Sequence, residues 1–130
     1  MSTIVVNVVR RPDLTHAQFV EHWRNRHAPL IQSCPQFTQY LVSYTQYDAH
    51  AGPADLTKLF GAAGDCDGVA VLRFHDREAM ETAFACDEYV TKIRPDEPNF
   101  VDLDNCTSYV TDAFDVVGPP STLTGAAGNA

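Results

Sequence analysis

The sequence predicts an α+β fold of the ferredoxin-like kind, a four-stranded antiparallel sheet with helices on one face in the order β-α-β-β-α-β. Two observations carry this. Four short runs rich in β-branched and aromatic residues stand apart along the chain, as strands do. Between the first and second, and again between the third and fourth, lies a segment with a helical N-cap and helical apolar spacing. At 130 residues the chain has the length of one domain, taken as residues 1–117 with a C-terminal tail.

The elements follow in order. Residues 3–10, TIVVNVVR, are apolar at almost every position and predict a central strand. After Pro12-Asp13, Thr15 and Gln18 have the spacing of a capping box, each side chain satisfying a backbone N–H that the first helical turn leaves unpaired. A helix is expected over 16–28. Pro29 is expected to end or kink it, because proline lacks the donor and disfavours helix in the residue before it. One further turn is expected over 29–33. Residues 37–47, FTQYLVSYTQY, predict the second strand. Residues 48–68 are dominated by Gly, Ala and Asp around an apolar piece at 56–60, and read as an excursion holding a turn or two of helix. Residues 69–74 predict the third strand. Asp76 caps a helix over 77–85 whose apolar side is Met80, Ala83 and Phe84. Residues 87–104 contain Pro95 and Pro98 and predict short helical turns and loop. Residues 106–117 predict the fourth strand. Residues 118–130 have no hydrophobic period and predict a flexible tail. The sheet face away from the helices is still partly apolar, which predicts a homodimer that covers the same patch twice.

Charge and composition exclude several classes. Nine Lys+Arg against 17 Asp+Glu leave a net charge of −8, which argues against nucleic acid and against an anionic membrane surface as partners. No apolar run reaches the roughly 20 residues of a membrane span. The N-terminus lacks the basic start and small-residue cleavage site of a signal peptide. The four cysteines, Cys34, Cys66, Cys86 and Cys106, include no C-x-x-C pair, so they read as reduced thiols of a cytoplasmic protein and not as a zinc site.

One histidine stands out. On a regular helix of about 100° per residue, Phe19, Val20, Trp23, Leu30 and Ile31 share one stripe, and His27 falls inside it. Glu21 and His22 fall on the far side and are expected to be solvated. An imidazole on an apolar face either has both nitrogens satisfied as a structural group or lines a cavity and moves protons.

The stretch Arg10-Arg11-Pro12-Asp13-Leu14-Thr15-x-x-Gln18-Phe19, followed by His22-Trp23-x-x-x-His27-Ala28-Pro29-Leu30, resembles the EthD family. Asp96-Glu97-Pro98-x-Phe100-x-Asp102 is similar to a late segment of fungal-type members. The resemblance spans roughly residues 5–117 and omits the 48–68 excursion. It implies a dimeric α+β barrel with a cofactor-free pocket between helices and sheet. It implies action on hydrophobic small molecules, as in dehydratase- or decarboxylase-like enzymes of aromatic polyketide pathways. It also places Asp96 in a segment that folds back over the pocket.

Dehydration, decarboxylation or aldol closure needs a base, a group that stabilises an enolate, and an acid. His27 is the candidate base or acid, and Asp96 the carboxylate that orients it or serves as acid. Tyr40 and Tyr44, four apart on a strand, point to one sheet face and are candidates to line the site and donate to an oxygen, with Tyr47 on the opposite face. Trp23 beside His27 suits a flat substrate. Tyr89 and Phe100 bracket Asp96 as candidate walls. Other constellations fail. His16, His22 and His27, spaced six and five apart, do not stack on one face of a regular helix, so they are not a metal cluster. There is no G-x-S-x-G elbow and no glycine-rich phosphate loop after a strand. The expected function is a cofactor-free lyase, cyclase or isomerase on a hydrophobic, aromatic polyketide-like molecule. The alternatives are a cofactorless monooxygenase on a similar substrate and a non-catalytic binding protein.

Overall fold

The computed structural model describes residues 1–61 and 64–118. Strands β1 (Ser2–Val8), β2 (Leu41–Asp48), β3 (Gly68–Phe74) and β4 (Thr107–Asp112) form one antiparallel sheet in the order β2-β3-β1-β4. The apolar run of β1 occupies an interior position, hydrogen-bonded on both sides. Alternation then sorts the side chains. Ile4, Val6, Ala70, Leu72 and Phe74 join the core. Val5 opposes Val71 and Tyr109, and Val69 opposes Tyr47, so these five lie on the other face.

The expected barrel is corrected here. Among the described residues β2 and β4 are each paired to one neighbour only, and the sheet is open at both edges, not closed into a barrel. The four strands contribute six to eight residues each, and nothing in their pairing joins β2 to β4.

The first helical segment departs from a regular helix. α1 (His16–His22) runs into a π-helical turn over Trp23–His27 and then into α2 (Ala28–Gln32), with right-handed helical backbone at each junction. Thr15 caps it through the expected box: its side chain accepts from Gln18 N–H, and the Gln18 side chain accepts from Thr15 N–H. Pro29 neither ends nor breaks the helix. A proline ring collides with the carbonyl four residues earlier, and the wider turn immediately before it, with Ala28 N–H reaching back to Trp23 O, makes the room.

The second predicted strand starts later than the sequence suggested. Pro35–Thr38 is a short helix, α3, and β2 begins at Leu41 with a bulge between Leu41 and Ser43. Among its described residues the excursion holds one turn, α4 (Ala54–Thr57). α5 (Arg77–Ala85) is capped by Asp76, whose carboxylate accepts from Ala79 N–H at 2.7 Å. A second π turn, Tyr89–Ile93, leads into α6 (Arg94–Asp96) and two 3-10 turns. β1 and β4 are shorter than expected, and Arg10 forms an isolated bridge to Val101. Of the predicted tail 118–130, residues 119–130 lie outside the described residues. Among the described residues no helix is long and apolar enough to cross a membrane.

Candidate functional site

The core closes around Phe19, Phe37, Phe74 and Phe100, all essentially inaccessible. Between the helices and the sheet it leaves a cavity of about 330 Å³, within the size range of small-molecule sites. The sheet supplies Ile4, Val6, Ala70 and Leu72. The first helical segment supplies Trp23, His27 and Ile31, and the 89–106 stretch supplies Tyr89, Phe100 and Cys106. Trp23 and His27 are 2% and 4% exposed, so they see the cavity and almost no bulk solvent.

His27 is anchored by one nitrogen. Its Nδ1 lies 2.8 Å from Asp96 Oδ2. An ionised carboxylate can only accept, so Nδ1 carries the hydrogen and Nε2 carries the lone pair. Among the described residues no hydrogen bond engages that Nε2. Burial pushes the His27 imidazole below its ordinary value, against the pull of Asp96, which keeps it neutral, with the Nε2 lone pair available, at neutral pH. Burial alone would raise Asp96, but hydrogen bonds from His27, Asn99 and His22 outweigh it and hold the carboxyl low.

His22 corrects the sequence reading. It is not a solvated residue: its Nε2 sits 3.0 and 3.1 Å from the two Asp96 oxygens, and its ring stacks on Phe100 with centroids 4.5 Å apart. The π turn is the cause. A widened turn brings residues five apart, not four, onto one face, so His22 and His27 meet the same carboxylate. A wheel drawn at the α-helical angle separates them.

The remaining candidates divide. Tyr44, Tyr89, Phe100 and Trp23 line the cavity. Tyr40 does not; it precedes the strand and packs at the edge of the core, because the short helix α3 and the bulge displace it from the alternation assumed for it. Burial raises the Tyr44 phenol and keeps it protonated. Tyr47 is on the opposite face, as expected.

Sequence reasoning missed a polar edge. Tyr89 O–H donates to Glu97 Oε2 at 2.9 Å and Arg94 donates to Glu97 Oε1 at 2.7 Å; all three line the cavity. Burial, together with the negative charge of Glu97, pushes the Tyr89 phenol far above its ordinary value. The Asp96-Glu97-Pro98 run was the available signal, since both carboxylates stood side by side in it. The cysteines stand as free thiols. Cys106 accepts from Val9 N–H and donates to Asp102 O, and burial raises its thiol, so it forms part of the wall and not a nucleophile.

A family model described as the EthD domain matches residues 11–104. No curated protein matches the sequence. Among solved structures, an EthD family protein from Bacillus halodurans superposes with a TM-score of 0.62 at 19% identity, over 88% of this chain and 100% of that one. SnoaB from Streptomyces nogalater, described as a cofactor-independent oxygenase, gives a TM-score of 0.55 at 15% identity over 91% and 97%. A protein of unknown function from Bacteroides fragilis, described as dimeric and ferredoxin-like, gives 0.59 at 9% identity over 86% and 95%. At these identities the likeness concerns the fold.

Proposed function

The chain belongs to the EthD family, and on that premise we propose that it is an oxygenase that needs no cofactor: it takes a proton from a flat, hydrophobic, phenol-activated substrate and lets the anion react directly with O2. The observation that carries this is the His27–Asp96 pair. One imidazole nitrogen is fixed by a carboxylate, and the other is presented, neutral, to a mostly apolar cavity walled by Trp23 and Phe100. For a methylene between aromatic rings the step balances as CH2 plus O2 giving C=O plus H2O. His27 Nε2 takes the first proton, leaving a carbanion. The carbanion gives one electron to O2, and the radical and superoxide combine as a peroxide anion. That anion recovers the proton from His27, and loss of water across the C–O–O–H unit leaves the carbonyl. The fold shared with SnoaB supports the oxygenase reading.

A second reading is favoured by one feature. Tyr89 and Glu97 put a phenolic donor and a carboxylate at the cavity edge, where a leaving hydroxyl could be protonated, as in a dehydratase. Oxygen separates the two. With a panel of anthrones and hydroxynaphthalenes, turnover should stop under argon, and label from 18O2 should enter the product. Turnover that continues without oxygen supports the lyase. His27→Gln should lower turnover by about 10²–10⁴-fold, the usual contribution of a general base, while leaving the fold intact. Full turnover in that variant, with early melting, would make His27 structural.

The working form in this reading is a homodimer. Val5, Val69, Val71, Tyr47 and Tyr109 form an outer sheet face that a second copy would cover, and the Bacteroides fragilis relative in fold is described as dimeric. Sedimentation at micromolar concentration should give twice the chain mass, and a monomer would refute it.

A further inference from the structure

His22 has no part in the mechanism above, yet it shares the carboxylate that positions the base. Its Nε2 is 3.1 Å from the same Asp96 Oδ2 that lies 2.8 Å from His27 Nδ1. The two ring nitrogens are therefore no further apart than about 6 Å. The rings differ in what they see. The His27 side chain is 6% exposed and faces the cavity, whereas the His22 side chain is 17% exposed, and among the described residues no hydrogen bond engages its Nδ1.

We propose that His22 and His27 are alternative seats for one positive charge on Asp96, and that His22 is the positioning residue that exports to solvent the charge His27 collects from the substrate. In the state of the pair that carries one positive charge, that charge sits on His22, which donates Nε2–H to Asp96, while His27 is neutral. When His27 Nε2 takes the substrate proton, two imidazolium ions would stand about 6 Å apart or closer on one carboxylate. His22 relieves this by losing its Nδ1 proton to water and keeping Nε2–H on Asp96. The balance is substrate–H plus neutral His27 plus His22 cation, giving substrate anion plus His27 cation plus neutral His22 plus one aqueous proton. No proton crosses Asp96, and no hydrogen bond to it is broken.

Among the described residues, these groups face the His22–Asp96 pair. Asp96 from α6 attracts the charge, and His27 across that carboxylate opposes it. The Asn99 amide donates to Asp96 Oδ1 at 3.1 Å and carries no charge, and Phe100 stacks on the ring. Glu97 acts on His27 in the same direction as Asp96.

The proposal rests on His27 as the base, but its test needs no substrate. In 15N-histidine-labelled protein, each of the two rings should show two inflections on pH titration, because each reports the other's protonation. In His22→Gln, which keeps an amide donor for Asp96, His27 should titrate in one step. That step should move upward by roughly half to two pH units, the repulsion of like charges about 6 Å apart at an effective dielectric between water and a protein surface. In His22→Phe, which keeps the stack on Phe100, His27 should also titrate in one step. An unmoved single-step His27 curve in wild type and either variant overturns the proposal. If neither variant folds, independent single inflections in the wild type overturn it and doubled ones support it. A fully active His27→Gln would instead defeat the base reading, a result that these titrations neither require nor mimic.

Discussion

Gly68 opens β3 beneath the indole of Trp23, and replacing it by alanine tests the wall of the cavity directly. A Cβ built on Gly68 would lie 2.5 and 2.7 Å from two Trp23 ring carbons and 3.1 Å from the Tyr47 carbonyl oxygen. Carbon atoms in contact prefer about 3.5–4.0 Å, so the indole must retreat by about 1 Å. It is held by Phe19, whose ring centroid is 5.2 Å away, and the Trp23 backbone carbonyl is fixed by a hydrogen bond from Gln46 Nε2. The cavity is the free direction. Overpacking of this kind costs about 1–3 kcal/mol. At this chain length each kcal/mol moves the melting temperature by about 3–5 °C, so Gly68→Ala should melt about 3–15 °C below wild type. Emission from Trp23, the single tryptophan, should shift, and aromatic ligands should bind more weakly because the cavity has shrunk. Gly68→Ala combined with Trp23→Leu should recover part of the loss, a positive coupling between neighbours. A Gly68→Ala protein with wild-type melting and unchanged emission would refute the close approach.

Three further substitutions probe the site and its supports. Asp96→Asn removes the carboxylate that holds His22 and His27; turnover should fall less than in His27→Gln, and the downfield His27 Nδ1–H resonance should vanish from the NMR spectrum, with persistence of that signal counting against the pairing. His16 lies between Asp67 at 3.0 Å and Asp48 at 2.7 Å, and those hydrogen bonds, Asp67 first, hold it above its ordinary value. Its stabilising effect is therefore complete below about pH 6.5, the unfolded value, and fades as pH rises through the raised folded value. In urea, His16→Gln should trail wild type at about pH 5.5 by some tenths to about 1 kcal/mol, the range of partly exposed pairs, and match it at pH 9; an equal gap at both would refute the linkage. Asp76→Ala should cost about 1 kcal/mol through loss of the α5 cap, read as a lowered urea midpoint at unchanged slope, and no change would mean that the cap is dispensable.

The sheet and the caps were legible because they are local. The β-branched run of β1, the Thr15–Gln18 box and the Asp76 cap each depend on residues within one turn or one strand. His27, Asp96 and Trp23 were legible as a group because the apolar stripe and the two motifs named them. The rest depends on departures from regular geometry. The π turn makes His22 a partner of His27, and no residue within it announces a wider turn. The helix at Pro35–Thr38 outcompetes the β propensity of Phe37 and Thr38 because Pro35 suits a first helical turn and Phe37 is buried against Phe74 and Phe84. That choice moved Tyr40 out of the site. The open sheet edges depend on hydrogen bonding between strands far apart in sequence.

The π turn has one more implication. A single π turn is what an α-helix becomes on accepting one extra residue, and each α-helical residue advances the face by about 100°. The segment from Trp23 to His27 therefore works as a spacer whose length, and not only its composition, aims the imidazole. Removing one residue from Arg24–Arg26 would leave a helix of ordinary pitch, with Trp23, the histidine and the proline all still present. The histidine would then stand four residues after His22, still on that face of the helix, but without the wider turn that makes room for Pro29. Removing a second residue would rotate everything after the gap by about 100° and take the imidazole off the carboxylate. Exchanging side chains one at a time would never expose such a determinant; shortening the chain by one residue and then by two would.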